Sequence, residues 1–207
     1  MTQDMQAVRA DLAFIKALAQ EGRRAPLLNG RSLIAAGVIY GLTSLTAWAM
    51  AVGVLQLPHA WRWGLWVLAT AIFYPFIWIS KRAACSRPGA SAVSNVAVSA
   101  AWRGLGYAIF TMAVVTSLAG WREHSAMVWD TFPCAVLVFY GAGWMVAAAM
   151  SQLVWVRWVA AGCLICAVAV GVLADNAASC LVFAAGCFLL VALPGWLLMR
   201  QEPSDIV

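Results

Sequence analysis

Residues 159–172 read VAAGCLICAVAVGV, and no charged side chain interrupts this stretch. Within lipid the backbone must satisfy its own hydrogen bonds, which limits membrane-spanning structures to α-helices and closed β-barrels. Barrel strands alternate apolar and polar residues in segments of about ten, and this stretch has no such alternation. The sequence therefore predicts an all-α membrane protein.

The composition of the whole chain agrees with this prediction. Of its 207 residues, 64% are hydrophobic and 10% are charged, whereas roughly a quarter of the residues in soluble domains are charged. The 13 basic and 8 acidic side chains are too few to coat a soluble domain of this length. The same numbers exclude a disordered chain and a disulfide-stapled miniprotein.

Six stretches are long enough to cross a hydrocarbon core about 30 Å thick, which takes roughly 20 apolar residues. The predicted spans cover residues 33–55, 61–79, 102–120, 127–150, 153–173 and 177–199, within a transmembrane bundle of residues 32–200. Residues 90–101, rich in Ala, Ser and Val, offer an alternative extension of the third helix. Residues 1–31 are predicted to form a cytosolic amphipathic helix and linker, and residues 201–207 a cytosolic tail.

The basic residues fall mostly at one set of helix ends. With a cytosolic N-terminus, 11 of the 13 basic residues lie on the cytosolic side, and only Arg62 and Arg122 lie on the other. By the positive-inside rule, this bias predicts a multi-pass membrane protein with both termini in the cytosol. The net positive charge is therefore explained without a nucleic-acid partner. The first predicted partner is the lipid bilayer.

An apolar stripe precedes the first span. Met5, Val8, Leu12 and Ile15 recur at steps of three and four residues, which predicts one face of an amphipathic helix. The polar face mixes acidic and basic side chains, unlike helices adapted to anionic lipid. We expect the apolar face to dock on another protein, on a second copy of the chain, or on its own loops. The alternative is a helix that lies on the membrane beneath its own bundle.

Ionisable side chains are absent from the middle of every predicted span. A charged residue at the bilayer centre costs about 2.5–3.5 kcal/mol on insertion scales, so it is normally kept there for function. This absence argues against an ion-coupled transporter of the usual kind and against an intramembrane hydrolase.

Side chains with metal-ligand chemistry gather in the predicted outer loops. They are His59, Glu123, His124, Asp130 and Asp175. Imidazole and carboxylate groups bind divalent metals, but the spacing of these residues matches no metal motif. We therefore treat His59, His124, Asp130 and Asp175 as weak metal candidates. The sequence predicts no catalytic residue and no cofactor.

Small residues within the spans predict close helix packing. Gly37 and Gly41 form a G-x-x-x-G motif in the first helix, and Gly141 and Gly143 lie in the fourth. The residues VIYG at 38–41 resemble VFYG at 138–141, which is too short a match to establish an internal repeat.

Two further residue types within the spans are predicted to be structural. Cys163 and Cys166 form a C-x-x-C in the middle of the fifth span, where thiols act as small apolar side chains rather than redox groups. Pro75, Pro133 and Pro194 remove backbone donors and are predicted to kink their helices.

Three segments carry a resemblance to a known family. Residues 11–28 (DLAFIKALAQEGRRAPLL), 139–144 (FYGAGW) and 193–200 (LPGWLLMR) resemble small bacterial inner-membrane proteins that have six helices and no established activity. The resemblance implies a bacterial cytoplasmic membrane, and it implies no catalytic or binding residue.

These observations favour a non-enzymatic membrane component that acts through protein–protein contacts, with the N-terminal helix as its cytosolic docking element. The first alternative is a small-solute permease or channel assembled as an oligomer. The second alternative is a metal-dependent enzyme on the outer face.

Overall fold

The computed structural model describes residues 30–58, 61–85 and 92–201, and these ranges contain helices and no strand. Six helices are long and apolar enough to cross a membrane. They are α1 (Gly30–Ala51), α2 (Trp61–Cys85), α3 (Val93–Glu123), α4 (Ala126–Ser151), α5 (Val154–Val172) and α6 (Ala178–Gln201). The predicted all-α, six-span architecture is confirmed. The apolar stripe of Met5, Val8, Leu12 and Ile15 lies outside the described residues.

Three helix boundaries differ from the predicted spans by four residues or more, and one of them is the end of α2, at Cys85 rather than residue 79. α1 ends at Ala51 rather than residue 55, and the chain then turns at Gly53, which has a φ of 80°. α3 begins at Val93 rather than residue 102, because the small residues before Trp102 extend the helix although they are less apolar. Arg103 consequently lies inside α3 instead of at its start.

The chain passes back and forth, so sequential helices are antiparallel. The start of α1 lies beside the end of α6, since a Cβ atom at Gly30 would be 2.6 Å from the Gly195 oxygen. Towards the other end of α1, the Ser44 hydroxyl donates a 2.8 Å hydrogen bond to the Cys180 carbonyl near the start of α6. The first and last spans are therefore paired along their length.

Four helices form the core and two flank it. α2 packs mainly on α1, and α3 mainly on α4. Only 11% of the span residues are buried in each of α2 and α3, compared with 44% in α6. The central buried side chains are Leu33, Ala36, Leu137, Trp144, Val156, Ala160, Cys163, Phe183 and Val191.

The two ends of the bundle carry different sets of charged residues. One end, which we call the basic face, holds Arg31, Lys81, Arg82, Arg103, Arg157 and Arg200. The other end, which we call the acidic face, holds Arg62, Arg122, Glu123, Asp130 and Asp175. Every acidic residue of the described ranges lies on the acidic face.

α6 changes its hydrogen-bond pattern before Pro194. Proline has no backbone N–H, so the carbonyl of Leu190, four residues earlier, lacks its α-helical donor. The segment Cys187–Ala192 is π-helical, and the Leu193 N–H donates to the Phe188 carbonyl five residues back. The indole N–H of Trp144, a completely buried side chain on α4, donates to the Leu190 carbonyl at 3.1 Å. A neighbouring helix thus supplies the donor that proline removes.

α1 approaches the same π-helical turn backbone to backbone. A Cβ atom at Gly37 would lie 2.5 Å from both the Cys187 oxygen and the Ala192 nitrogen. One turn further, a Cβ atom at Gly41 would lie 2.8 Å from the Phe188 ring. Glycine is needed at these positions because a side chain would push α1 away from α6.

We expect Trp144→Phe to lower the free energy of unfolding by about 1–3 kcal/mol, because the buried Leu190 carbonyl loses a donor. Unfolding by sodium dodecyl sulfate in mild-detergent micelles measures this loss. Trp158→Phe is the matched control, since Trp158 is 74% exposed.

A second background makes this test specific. Pro194→Ala gives residue 194 an N–H that can donate to the Leu190 carbonyl, so Trp144→Phe should cost less in the Pro194→Ala protein. An equal loss in both backgrounds would show that the indole N–H contributes nothing and that only ring packing matters.

We also expect opposite results at two helical glycines. Gly37→Ala should destabilise the fold by about 1–3 kcal/mol, as overpacking does, because its Cβ meets backbone atoms of α6. Gly104→Ala in α3 should be neutral or stabilising, since no atom lies within 4 Å of its Cβ position. The same detergent titration compares them, and similar losses at both positions would contradict the close approach of α1 to α6.

Candidate functional site

The weak metal candidates on the acidic face include two residues that interact. Asp130 lies in the second turn of α4, and Asp175 lies in the loop between α5 and α6 with a φ of 65°. A carboxylate oxygen of Asp130 accepts a 3.1 Å hydrogen bond from the Asp175 N–H. In the same loop, the Asn176 side-chain oxygen accepts a 2.9 Å bond from the Ala178 N–H. Asp130 therefore holds the backbone of the loop that leads into α6.

The other acidic-face candidates do not join this pair into a larger site. His124 ends α3 in a left-handed conformation with a φ of 48°. Glu123 lies 3.8 Å from its neighbour Arg122, and both side chains are exposed. His59 lies outside the described residues. Within the described ranges, no three His, Cys, Asp or Glu side chains are close enough together to hold a metal ion.

The C-x-x-C of α5 packs between helices. Cys163 is completely buried in the core, and no disulfide joins it to Cys166. The Cys166 sulfur lies 3.6 Å from the Val182 carbonyl of α6 and close to Gly186. These positions suit small side chains at a helix contact.

The two similar segments in α1 and α4 have similar surroundings. Tyr40 lies against Trp66 and Phe73 of α2, and its hydroxyl is 3.4 Å from the Thr70 hydroxyl. Tyr140 packs edge-on against Trp102 of α3. In each segment an aromatic tyrosine ring contacts the flanking helix.

The glycines that follow these tyrosines contact a core helix. Gly41 lies against Phe188 of α6, and Gly141 lies against Leu164 of α5 at 2.9 Å from its Cβ position. Gly143 instead lies against Leu105 and Trp102, at the packing contact between α3 and α4. All four glycines singled out by the sequence analysis thus lie at helix contacts.

Two other glycines have no contact of this kind. In the described ranges, Gly104 and Gly106 are the only helical glycines with no atom within 4 Å of the Cβ position. A Cβ would come closer than 3.0 Å to another atom at nine helical glycines: Gly30, Gly37, Gly41, Gly120, Gly141, Gly143, Gly162, Gly186 and Gly195. Glycine in a helix interior costs roughly 0.5–1 kcal/mol relative to alanine. At Gly104 and Gly106, no packing within the described chain offsets that cost.

Gly104 lies within an exposed surface of α3. We call this surface the α3 outer face, and its residues follow one another at helical spacing: Ala100, Arg103, Gly104, Tyr107 and Thr111. All five are exposed, and Tyr107 is 73% exposed. Small residues four apart, such as Ala100 and Gly104, let a second helix approach closely in a membrane.

The sequence analysis missed this face, although a signal was present. Ala100, Gly104 and Ala108 are small residues at steps of four, the spacing also found at Gly37 and Gly41. The predicted start of the third span at residue 102 left Ala100 outside the helix and hid the pattern.

Comparison with protein-family models, curated proteins and solved structures finds no match to this chain.

We expect Asp130→Ala to lower the free energy of unfolding by about 1 kcal/mol, because the Asp175 N–H loses a side-chain acceptor. Asp130→Asn keeps an oxygen acceptor and should cost less. Thermal unfolding in detergent measures both, with His124→Ala as a neutral control. If Zn²⁺ stabilised the wild type and either Asp130→Asn or His124→Ala removed that effect, the structural role given to Asp130 would be wrong.

Proposed function

We propose that this multi-pass membrane protein is a non-enzymatic component of a membrane assembly, and that it binds a transmembrane helix of its partner on the α3 outer face. The observation that carries the proposal is the open space at Gly104, since nine other helical glycines of the described ranges have an atom closer than 3.0 Å to the Cβ position.

The physical argument rests on how helices associate in lipid. Apolar side chains gain little by leaving lipid for another helix, so association depends on close packing and interhelical hydrogen bonds. The α3 outer face offers both, because Gly104 permits close approach and the Thr111 hydroxyl can donate. Tyr107 beside them adds a large rigid side chain of the kind enriched at protein contacts.

The placement of the protein is part of the proposal. The basic face carries six basic residues and no acidic residue of the described ranges. The positive-inside rule then favours the cytosol of a bacterial cell for this face, and both termini with it. The predicted docking stripe of Met5, Val8, Leu12 and Ile15 would lie on that side as a second contact.

The acidic face gives less support to a metal-dependent enzyme. Asp130 holds the loop before α6, and Arg122 and Glu123 interact with each other at the membrane surface. Asp130 therefore has a structural partner within the described chain.

We expect Gly104→Leu to weaken partner binding about tenfold, which corresponds to about 1.4 kcal/mol, while leaving the bundle folded. No atom of the described chain lies within 4 Å of the Cβ position at Gly104, and the larger side chain keeps a partner helix at a distance. Binding is measured by quantitative mass spectrometry of complexes crosslinked in native membranes, and self-association by energy transfer between labelled copies.

Ala185→Leu is the matched control, because Ala185 is an exposed small residue on α6. It should leave both measurements unchanged. Deletion of residues 2–25 tests the second contact separately. Unchanged association in the Gly104→Leu protein, with stability also unchanged, would overturn the role of the α3 outer face.

A further inference from the structure

A groove runs between α4 and α5 on the outside of the bundle, next to the basic face. Its open volume is about 310 Å³. Met145 and Leu164 line the groove deeper in the membrane, and Arg157 lines it towards the basic face. The other lining residues are the four alanines Ala148, Ala149, Ala160 and Ala161. Apart from Arg157, every residue that lines the groove is apolar.

The groove follows from the way the two helices pack. Gly141 lets α4 and α5 approach closely, since its Cβ position is 2.9 Å from the Leu164 side chain and 3.3 Å from the Ala160 carbonyl. From there towards the basic face, most residues that line the space between the helices are alanines, whose side chains are too short to occupy it. The groove is thus open to lipid along an apolar surface.

Arg157 differs from two other arginines of the basic face. The guanidinium groups of Arg82 and Arg200 lie over the rings of Trp78 and Trp196, at 3.6 and 3.7 Å from the ring centroids. Within the described residues, no ion pair or hydrogen bond engages the exposed Arg157. Every described carboxylate is on the acidic face, at the far side of the membrane from Arg157.

We propose that this groove binds an anionic phospholipid of the adjoining leaflet, with one acyl chain along the alanines and the phosphate on Arg157. A planar guanidinium binds phosphate oxygens in a bidentate manner. Basic pockets between transmembrane helices bind anionic headgroups for the same reason. A single bound phospholipid thus pairs its phosphate with the Arg157 guanidinium and covers the apolar walls of the groove with an acyl chain.

The experiment measures lipid binding to the full chain. Native mass spectrometry of the detergent-solubilised protein counts bound lipids after incubation with equal amounts of phosphatidylglycerol and phosphatidylcholine. We expect the wild type to retain one phosphatidylglycerol per chain in preference to phosphatidylcholine. Arg157→Gln should reduce the affinity for phosphatidylglycerol about tenfold, as expected for the loss of a charge-assisted hydrogen bond.

A second variant tests the groove itself. Ala149→Leu occupies the groove without changing charge, and should reduce retention of both lipids. Its control is Ala142→Leu, an exposed residue of α4 that does not line the groove. The charge control is Arg200→Gln, which should leave the preference for phosphatidylglycerol intact.

Four results would overturn the proposal. Equal losses in Arg157→Gln and Arg200→Gln would show general attraction to a basic surface. Unchanged binding in Ala149→Leu would place the lipid outside the groove. Displacement of the lipid by inorganic phosphate alone would show that Arg157 recognises the anion and that the groove adds nothing. A change of oligomeric state in Ala149→Leu would show that a second copy of the chain occupies the groove.

Discussion

The bundle depends on how one backbone carbonyl is satisfied inside the membrane. Pro194 leaves the Leu190 oxygen without its α-helical donor, and water is not available in hydrocarbon to replace it. The Trp144 indole N–H supplies that donor. This bond fixes α4 against α6 at a defined depth. The π-helical turn beside it presents the backbone that α1 approaches through Gly37, so three of the four core helices meet at one polar contact.

The remaining helices have a different relation to their surroundings. α5 completes the core through small buried residues such as Ala160 and Cys163, while α2 and α3 each use one side for packing and expose the rest. In water such exposure would be unfavourable, but lipid is an equivalent solvent for these side chains. Exposure of leucine or valine therefore says little about function here. An unpacked glycine and an unpaired arginine are more informative. Lipid tails offset neither the cost of glycine in a helix nor the charge of an arginine.

The sequence predicted the number and order of the helices, because hydropathy over about 20 residues reports directly on immersion in lipid. It did not predict where α3 begins, since residues 93–101 are helical without being strongly apolar. The spacing of small residues correctly indicated helix contacts at Gly37 and Gly41. Gly104 lies in a pattern of the same spacing, yet no atom of the described chain is within 4 Å of its Cβ position. Neighbours distant in sequence decide which glycine is covered. The contact of Asp130 with the Asp175 backbone also depends on how the start of α4 meets the loop between α5 and α6, which no local pattern specifies.

The length of α3 has a consequence for the lipid around the protein. Its 31 residues extend about 46 Å, while the hydrocarbon core is roughly 30 Å thick. The helix must therefore tilt or carry its first turns into the headgroup region. Tilt responds to bilayer thickness, so a thinner membrane inclines α3 further from the bilayer normal. Hydrophobic mismatch thus couples the thickness of the host membrane to the angle of this helix.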